Sequence, residues 1–235
     1  MQNDVETAVF TIEVGGSSTQ YCEVSGDELF PSSRPASTNC QWLLAAPGIV
    51  NGDHVRGAHH IGWGDVSASE QLNMSHAPLC SMNDAEAAAL GEWYLRGSHN
   101  GRWLYIGLGT GVGSAVVVDG IVSEVDFSHA TGFGPKICGG CGARGCLDAQ
   151  IGGHALSNPL NLNDRERVLN TLTVAIQRLS NQPDAVVLAG GMSRKFPDLF
   201  KDLGRRIEAV VFPSAIELPM KSAAPWGLLC EWKKG

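Results

Sequence analysis

Apolar residues occur along this chain in short runs, and most of these runs stop at glycine, proline or serine. Runs rich in β-branched and aromatic side chains predict strands. The predicted strands cover residues 8–14, 19–24, 41–46, 103–109, 114–119 and 185–189. Residues 31–39 are rich in proline and serine and are predicted as a loop, whereas residues 51–78 contain several turn signals and are predicted to be rich in loops.

Helical patterns occupy most of the remaining chain. Residues 84–95 are rich in alanine and predict a helix, with Asn83 or Asp84 as its N-cap. The spacing of apolar residues predicts further helices over residues 164–179, 199–210 and 224–232. Residues 120–153 follow neither period.

Length and charge narrow the class of protein. A length of 235 residues is compatible with one large domain or two small lobes. A hydrophobic fraction of 43% is enough to form a core. A formal net charge of −7 argues against a nucleic-acid partner. No apolar run is long enough to span a membrane, and residues 1–6 do not resemble a signal peptide. We therefore expect a soluble cytoplasmic protein with neither nucleic acid nor membrane as a partner.

Three glycine turns follow predicted strands. The first contains Gly15, Gly16, Ser17 and Ser18, the second contains Thr110 and Gly111, and the third contains Gly190 and Gly191. Converging backbone N–H groups at such turns hold phosphate oxygens. Any one of them could be an ordinary hairpin turn, but three with neighbouring hydroxyls favour phosphate binding.

Two known phosphate motifs do not fit these turns. A P-loop requires Lys followed by Ser or Thr after its last glycine, and no turn here has that sequence. The dinucleotide fingerprint opens a helix, whereas residues 107–113 run into a predicted strand.

A cysteine cluster predicts a metal site. Cys138, Cys141 and Cys146 lie inside one glycine-rich segment of nine residues, and His129 lies nine residues before Cys138. Three thiolates and one imidazole suit tetrahedral Zn²⁺. Free structural cysteines or a redox pair are the alternatives, and His154 competes with His129 as the fourth ligand.

Asn83 and Asp84 precede the alanine-rich helix. A carboxylate in this position is often only a cap. It could also serve as a general base that takes a proton from a substrate hydroxyl during phosphoryl transfer.

Taken in order, these motifs resemble the ROK family of sugar kinases and related repressors. The most specific matches are residues 83–92 and 138–148. The resemblance implies an α/β fold of the two-lobed actin-like (ribonuclease-H-type) class with a zinc-binding loop. It places one lobe at residues 1–83 and the other at residues 84–235, with the zinc loop at residues 129–148.

The resemblance also implies a role for each motif in an ATP-dependent kinase acting on a hexose or N-acetylhexosamine. Asp84 is the expected base, and the expected cofactors are structural Zn²⁺ and Mg²⁺ bound with ATP. A homodimer is the family's habit. The expected sugar-binding residues are Asn83, Asp126, His129 and Asp148. The expected nucleotide and magnesium residues are Glu13, Gly15, Gly16, Ser17, Ser18, Thr110, Gly111, Gly190 and Gly191. The expected zinc ligands are His129, Cys138, Cys141 and Cys146.

The chain departs from the family pattern at several carboxylates. Glu13 stands where the family has Asp, while Asp126 and Asp148 stand where it has Glu. Some helical segments of the family are also shortened. Because of these departures, two other functions remain as alternatives. The first is a non-catalytic sugar- or nucleotide-binding relative, and the second, which is less favoured, is a zinc-stabilised structural protein. A DNA-binding repressor is disfavoured because only seven residues precede the first predicted strand.

Overall fold

The computed structural model describes residues 8–123 and 127–235, which form two large sheets, one small sheet and the helices that cover them. The strands are β1 (Val9–Val14), β2 (Thr19–Ser25), β3 (Glu28–Ser32), β4 (Gln41–Ala46), β5 (Ile49–Asn51), β6 (His54–Ala58), β7 (Trp63–Ser67), β8 (Cys80–Asn83), β9 (Arg102–Leu108), β10 (Val112–Val118), β11 (Ile121–Ser123), β12 (Ala185–Ala189) and β13 (Val210–Pro213). The α-helices are α1 (Ala68–Leu72), α2 (Asp84–Leu95), α3 (Leu147–Ile151), α4 (Leu162–Gln177), α5 (Gly191–Lys195), α6 (Leu199–Gly204) and α7 (Ala224–Trp232).

The two large sheets repeat one topology. The first has the strand order β3-β2-β1-β4-β8 and the second has the order β11-β10-β9-β12-β13. In each sheet, three antiparallel strands are followed by two strands parallel to the innermost of them. The first and second glycine turns join β1 to β2 and β9 to β10, so they occupy equivalent positions in the two sheets.

Both faces of the large sheets are covered, which explains why their inner strands are apolar without interruption. In β4, Trp42 and Leu44 belong to a cluster shared with the small sheet β5-β6-β7. Leu43 faces the opposite side and packs in a layer that contains α2 and α7. In β9, Leu104 packs toward α4, whereas Trp103 joins the α2–α7 layer.

Helices α2 and α7 touch through their backbones. A Cβ atom on Gly227 would lie 1.8 Å from the carbonyl oxygen of Ala87, and one on Gly91 would lie 2.0 Å from that of Ala223. No side chain fits at either position. Helix α7 also contacts β1, β4 and β8, so the end of the chain packs on the first sheet. The boundary between residues 83 and 84 stays a prediction.

Several predicted elements are confirmed and others are wrong. The helices at residues 84–95 and 224–232 and the strands at residues 41–46 and 185–189 have the predicted bounds. The predicted helix 199–210 ends at Gly204, because the chain must turn before Val210 pairs with Ala185 in the parallel β12–β13 ladder. Residues 51–78 are not loop alone, since they include β6, β7 and α1, whose short strands leave little alternation to detect. Over the described ranges, no helix is both long and apolar enough to cross a membrane.

Candidate active site

One cleft of about 1030 Å³ collects residues that follow strands of both large sheets. Its walls include the first and second glycine turns, the start of α2 and part of the zinc loop. The predicted site residues on its walls are Glu13, Gly15, Gly16, Ser17, Ser18, Asn83, Asp84, Thr110, Gly111, His129, Cys141, Asp148 and Gly190. Asp126 lies outside the described residues.

Asp84 enters the cleft at the N-terminus of α2. Asn83 is the N-cap, and its Oδ1 accepts hydrogen bonds from the N–H groups of Ala85 at 2.9 Å and Glu86 at 3.3 Å. Its Nδ2 donates to the carbonyl of Gly48 at 2.9 Å. Asp84 Oδ1 accepts a second hydrogen bond from Ala85 N–H at 2.9 Å. The carboxylate is therefore held in one orientation at the cleft wall.

Burial controls the protonation of Asp84. The surrounding protein desolvates its carboxylate and raises the pKa to about 6, while the hydrogen bond from Ala85 opposes the shift. At neutral pH the group is mostly ionised, yet its proton affinity exceeds that of an exposed aspartate. This is the pKa range that suits a general base.

The first and second glycine turns lie next to each other on the cleft wall. A Cβ atom on Gly16 would lie 3.8 Å from Thr110 Oγ1, so only a narrow gap separates the two turns. Gly15 N–H donates to the carbonyl of Ser18 at 3.0 Å, and Gly109 N–H donates to that of Gly111 at 2.9 Å. Together the turns bring backbone amides and hydroxyls from both sheets to one place.

The third glycine turn reaches the cleft through Gly190 alone, because Gly191 starts α5 and does not border the cleft. Gly190 has φ +91°, and a Cβ atom there would lie 2.4 Å from the carbonyl oxygen of Leu108. Both observations require glycine. Behind this turn lies a smaller cavity of about 180 Å³, whose walls include Leu188, Ser193 and Ser214.

Glu13 lies on the cleft wall at the end of β1. Its Oε1 accepts a hydrogen bond from Ser222 Oγ at 2.7 Å, and its Oε2 lies 3.5 Å from Gln20 Nε2. Burial raises the pKa of Glu13 to about 7, and the nearby charge of Asp84 adds to the shift. The hydrogen bond from Ser222 and the charge of Lys221 act in the opposite direction.

The predicted zinc ligands lie together. One ligand atom from each of His129, Cys138, Cys141 and Cys146 lies within 4.8 Å of all the others. His129 Nδ1 is 3.9 Å from Cys138 Sγ and 3.8 Å from Cys146 Sγ. Bonds of about 2.0–2.3 Å to a tetrahedral zinc ion place its ligand atoms roughly 3.3–3.8 Å apart, so this donor set fits zinc.

Close backbone contacts shape the zinc loop. Cys138 N–H donates to Ala143, and Gly142 N–H donates back to Cys138, which forms a tight turn around Cys141. Gly145 has φ +73°, and a Cβ atom there would lie 2.3 Å from the carbonyl oxygen of Gly134. The buried apolar cluster of this loop consists of Cys138, Cys146 and Ala149, so two of its three members are predicted zinc ligands.

Asp148 links the zinc loop to the second glycine turn. Its Oδ1 accepts a hydrogen bond from Val112 N–H at 2.8 Å, and its Oδ2 lies 3.5 Å from Cys138 Sγ. The side chain is buried yet borders the cleft. His154 is not in the cysteine cluster. Its Nδ1 lies 2.9 Å from the carbonyl oxygen of Thr110, and its Nε2 lies 3.8 Å from Asp148 Oδ2.

Some polar and charged cleft residues were not predicted from sequence patterns, among them the following five. Lys221 and Ser222 line the cleft from the segment before α7, where their position next to a predicted helix is the only sequence signal. Three basic residues of the small-sheet region also line the cleft: Arg56, His59 and His60. The His60 and His154 rings stack with centroids 6.4 Å apart.

Comparison with known proteins identifies the family of this chain. The ROK family model matches residues 32–181, and the chain belongs to the ROK family. A glucokinase from Halalkalibacterium halodurans is 27% identical over 72% of this chain and 67% of its own length. An N-acetylmannosamine kinase from Citrobacter koseri is 32% identical over 36% of this chain and 31% of its own, so this chain spans less than a third of that relative.

Solved structures agree on the fold. A ROK family glucokinase from Streptomyces griseus, solved in complex with glucose and AMPPNP, superposes with a TM-score of 0.75. It is 16% identical, and the match covers 97% of this chain and 100% of that one. The expected two-lobed actin-like α/β fold is confirmed, and the cysteine–histidine cluster is compatible with its zinc-binding loop.

Proposed function

We propose that this protein is a sugar kinase that transfers the terminal phosphoryl group of ATP to a hydroxyl of a hexose or N-acetylhexosamine. The observation that carries the proposal is the position of Asp84, an oriented carboxylate in the same cleft as the first and second glycine turns. The names of the relatives, glucokinase and N-acetylmannosamine kinase, support the same chemistry.

The cleft would bind its two substrates at opposite ends. The donor end consists of the three glycine turns, whose amides and hydroxyls suit the phosphates of ATP. The smaller cavity beyond Gly190 has apolar walls at Leu188 and Ile216 and hydroxyls at Ser193 and Ser214, features that suit a purine base. The acceptor end is formed by Asn83, Asp84, His129 and Asp148.

In the proposed reaction the acceptor hydroxyl oxygen attacks the γ-phosphorus as Asp84 takes the hydroxyl proton. The bond between the γ-phosphorus and the β,γ-bridging oxygen breaks, and ADP leaves with the electron pair. Asn83 has one N–H left for a neighbouring sugar hydroxyl, because its Oδ1 caps α2 and its other N–H binds Gly48. Backbone amides of the glycine turns would stabilise charge on the transferring group.

Two metal ions complete the proposal. Glu13 offers carboxylate oxygens at the donor end, the ligand type that Mg²⁺ prefers, and Mg²⁺ bound with ATP would neutralise phosphate charge. Zinc bound by His129 and the three cysteines would order the zinc loop, which has little core of its own. His129 lines the cleft as well, so this loop would also shape the acceptor end.

The test is ADP release from Mg²⁺–ATP over a panel of hexoses and N-acetylhexosamines, with wild type and Asp84→Asn compared. We expect wild-type turnover with at least one sugar and a loss on the order of 10²–10⁴-fold in the variant, since the base is removed. Zinc content and circular dichroism should be unchanged. Turnover of Asp84→Asn within a few-fold of wild type would refute the assignment of the base.

A non-catalytic sugar- or nucleotide-binding protein is the second candidate. The hydrogen bond between Glu13 and Ser222 favours it, because it occupies one oxygen of the carboxylate that stands where the family has aspartate. Calorimetric sugar binding by a wild-type protein that releases no ADP with any sugar of the panel would select this candidate. The homodimer stays a prediction under either reading.

A further inference from the structure

The segment containing Lys221 and Ser222 is hydrogen-bonded to the first large sheet and to helix α5. Lys221 N–H donates to Gln20 Oε1 at 2.6 Å, and Ser222 Oγ donates to Glu13 Oε1 at 2.7 Å. From the other side, the Arg194 guanidinium donates to the Lys221 carbonyl. Strands β1 and β2 and helix α5 thus hold the backbone of Lys221 in place.

These contacts place Lys221 beside the first glycine turn. Gln20 pairs with Glu13 in the β1–β2 register, one step beyond the pair Val14 and Thr19 that closes the hairpin. The backbone N–H of Lys221 donates a hydrogen bond to the Gln20 side chain, so the Lys221 backbone lies near the base of this turn. Lys221 lines the same cleft as Gly15 and Ser18.

The Lys221 ammonium group is available for a ligand. Across residues 8–123 and 127–235, no hydrogen-bond or ion-pair partner binds its Nζ, and the residue is exposed. Its charge lowers the pKa of Glu13 against the larger effect of burial, so it acts electrostatically at the donor end.

Apart from the proposed Mg²⁺, the donor end otherwise offers the phosphates only partial positive charges. The glycine turns offer amides and hydroxyls, and the other lysine or arginine among the described cleft residues, Arg56, lies on the small sheet. The carbonyl oxygen of Arg56 would lie 2.3 Å from a Cβ atom on Gly48, whose own carbonyl accepts a hydrogen bond from Asn83, so Arg56 lies beside the acceptor end. Mg²⁺ would balance only part of the negative charge of a triphosphate, so a lysine beside the phosphates would add a charge-assisted hydrogen bond.

We propose that Lys221 binds the β- and γ-phosphates of the nucleoside triphosphate and positions the γ-phosphate between the first and second glycine turns. The inference rests on the proposed function only in taking a nucleoside triphosphate as the donor. The ligand class is an oligophosphate, so ATP and GTP would depend on Lys221 alike. AMP, whose single phosphate lies nearer the nucleoside, would not.

Calorimetry with Mg²⁺–ATP and with AMP, on wild type, Lys221→Gln and Lys221→Arg, tests this inference without requiring turnover. The matched control is Lys201→Gln, which removes an exposed lysine of α6 that pairs with Asp198. We expect Lys221→Gln to weaken ATP binding about tenfold, the loss of one charge-assisted hydrogen bond, and to leave AMP binding unchanged. Lys221→Arg should retain most of the ATP affinity, and Lys201→Gln all of it.

Three results would overturn the inference: Lys221→Gln binding ATP within twofold of wild type, a matching loss of AMP affinity, or no ATP binding by wild type at millimolar concentration. Turnover provides a separate readout. If wild type is active, Lys221→Gln should raise the KM for ATP more than it lowers kcat. If wild type binds ATP but phosphorylates no sugar, the proposed kinase function fails and the role of Lys221 still stands.

Discussion

The proposed donor and acceptor ends of the cleft differ in the groups that form them. The donor end is mainly backbone, with Gly190 at a place where main-chain atoms approach closely. The acceptor end is mainly side chain, with Asp84 oriented by a helix start and His129 by the cysteine cluster. Substitutions at the donor end should therefore act through conformation, and those at the acceptor end through the loss of individual groups.

The largest expected effect comes from adding one methyl group to the donor end. Gly190→Ala introduces a Cβ at φ +91°, 2.4 Å from a backbone oxygen that cannot move aside alone. We expect a loss on the order of 3 kcal/mol in the free energy of unfolding, together with weaker nucleotide binding. Denaturant titration measures the first and calorimetry the second.

The neighbouring Gly191 supplies the control for that prediction. A Cβ atom on Gly191 would meet no atom within 4 Å, and its φ is not left-handed, so Gly191→Ala should stay within about 0.5 kcal/mol of wild type. Equal effects at the two positions would show that close approach at Gly190 does not shape the donor end.

Removing the metal should separate the two ends. Cys146→Ser, or prolonged chelation, should abolish stoichiometric zinc and lower sugar affinity on the order of tenfold, because His129 and Asp148 lose their support. ATP affinity should change less than twofold. Cys230→Ser alters a half-buried cysteine outside the cluster and should keep zinc and sugar affinity. An equal loss of ATP and sugar affinity in Cys146→Ser would contradict the division into two ends.

The smallest expected effect is the pH dependence of the acceptor end. The raised pKa of Asp84, about 6, means that the proposed base is mostly ionised above this pH and mostly protonated below it. We expect kcat/KM for the sugar to rise about tenfold per pH unit below 6 and then to level off. The residual activity of Asp84→Asn over the same range serves as the control, because Glu13, whose pKa is about 7, titrates in both proteins. A flat rate profile between pH 5 and 7 would argue against Asp84 as the base.

Local signals explain which parts of the molecule the sequence could predict. The alanine-rich α2 and its cap Asn83 depend on neighbours within one turn of helix, so they were predictable. The cysteine cluster was recognisable from spacing alone. The choice between His129 and His154 was not, because both flank the cysteines and only the fold places His154 on Thr110.

Residues that meet only through tertiary structure escaped prediction. Lys221 is held at the proposed donor end by a hydrogen bond to Gln20, which is 201 positions away along the chain. No local sequence pattern indicates that contact. The small sheet was missed for a different reason. Its strands are three to five residues long and interrupted by turn residues, so they resemble loop.

The bare crossing of α2 and α7 has a mechanical consequence. At Gly91 and Gly227 the backbones of the two helices are in contact, with no side chains between them. The helices therefore cannot approach more closely at this point. A rearrangement of the large sheets that preserved this contact would pivot about it. Its amplitude would be smallest there and would grow with distance from the crossing.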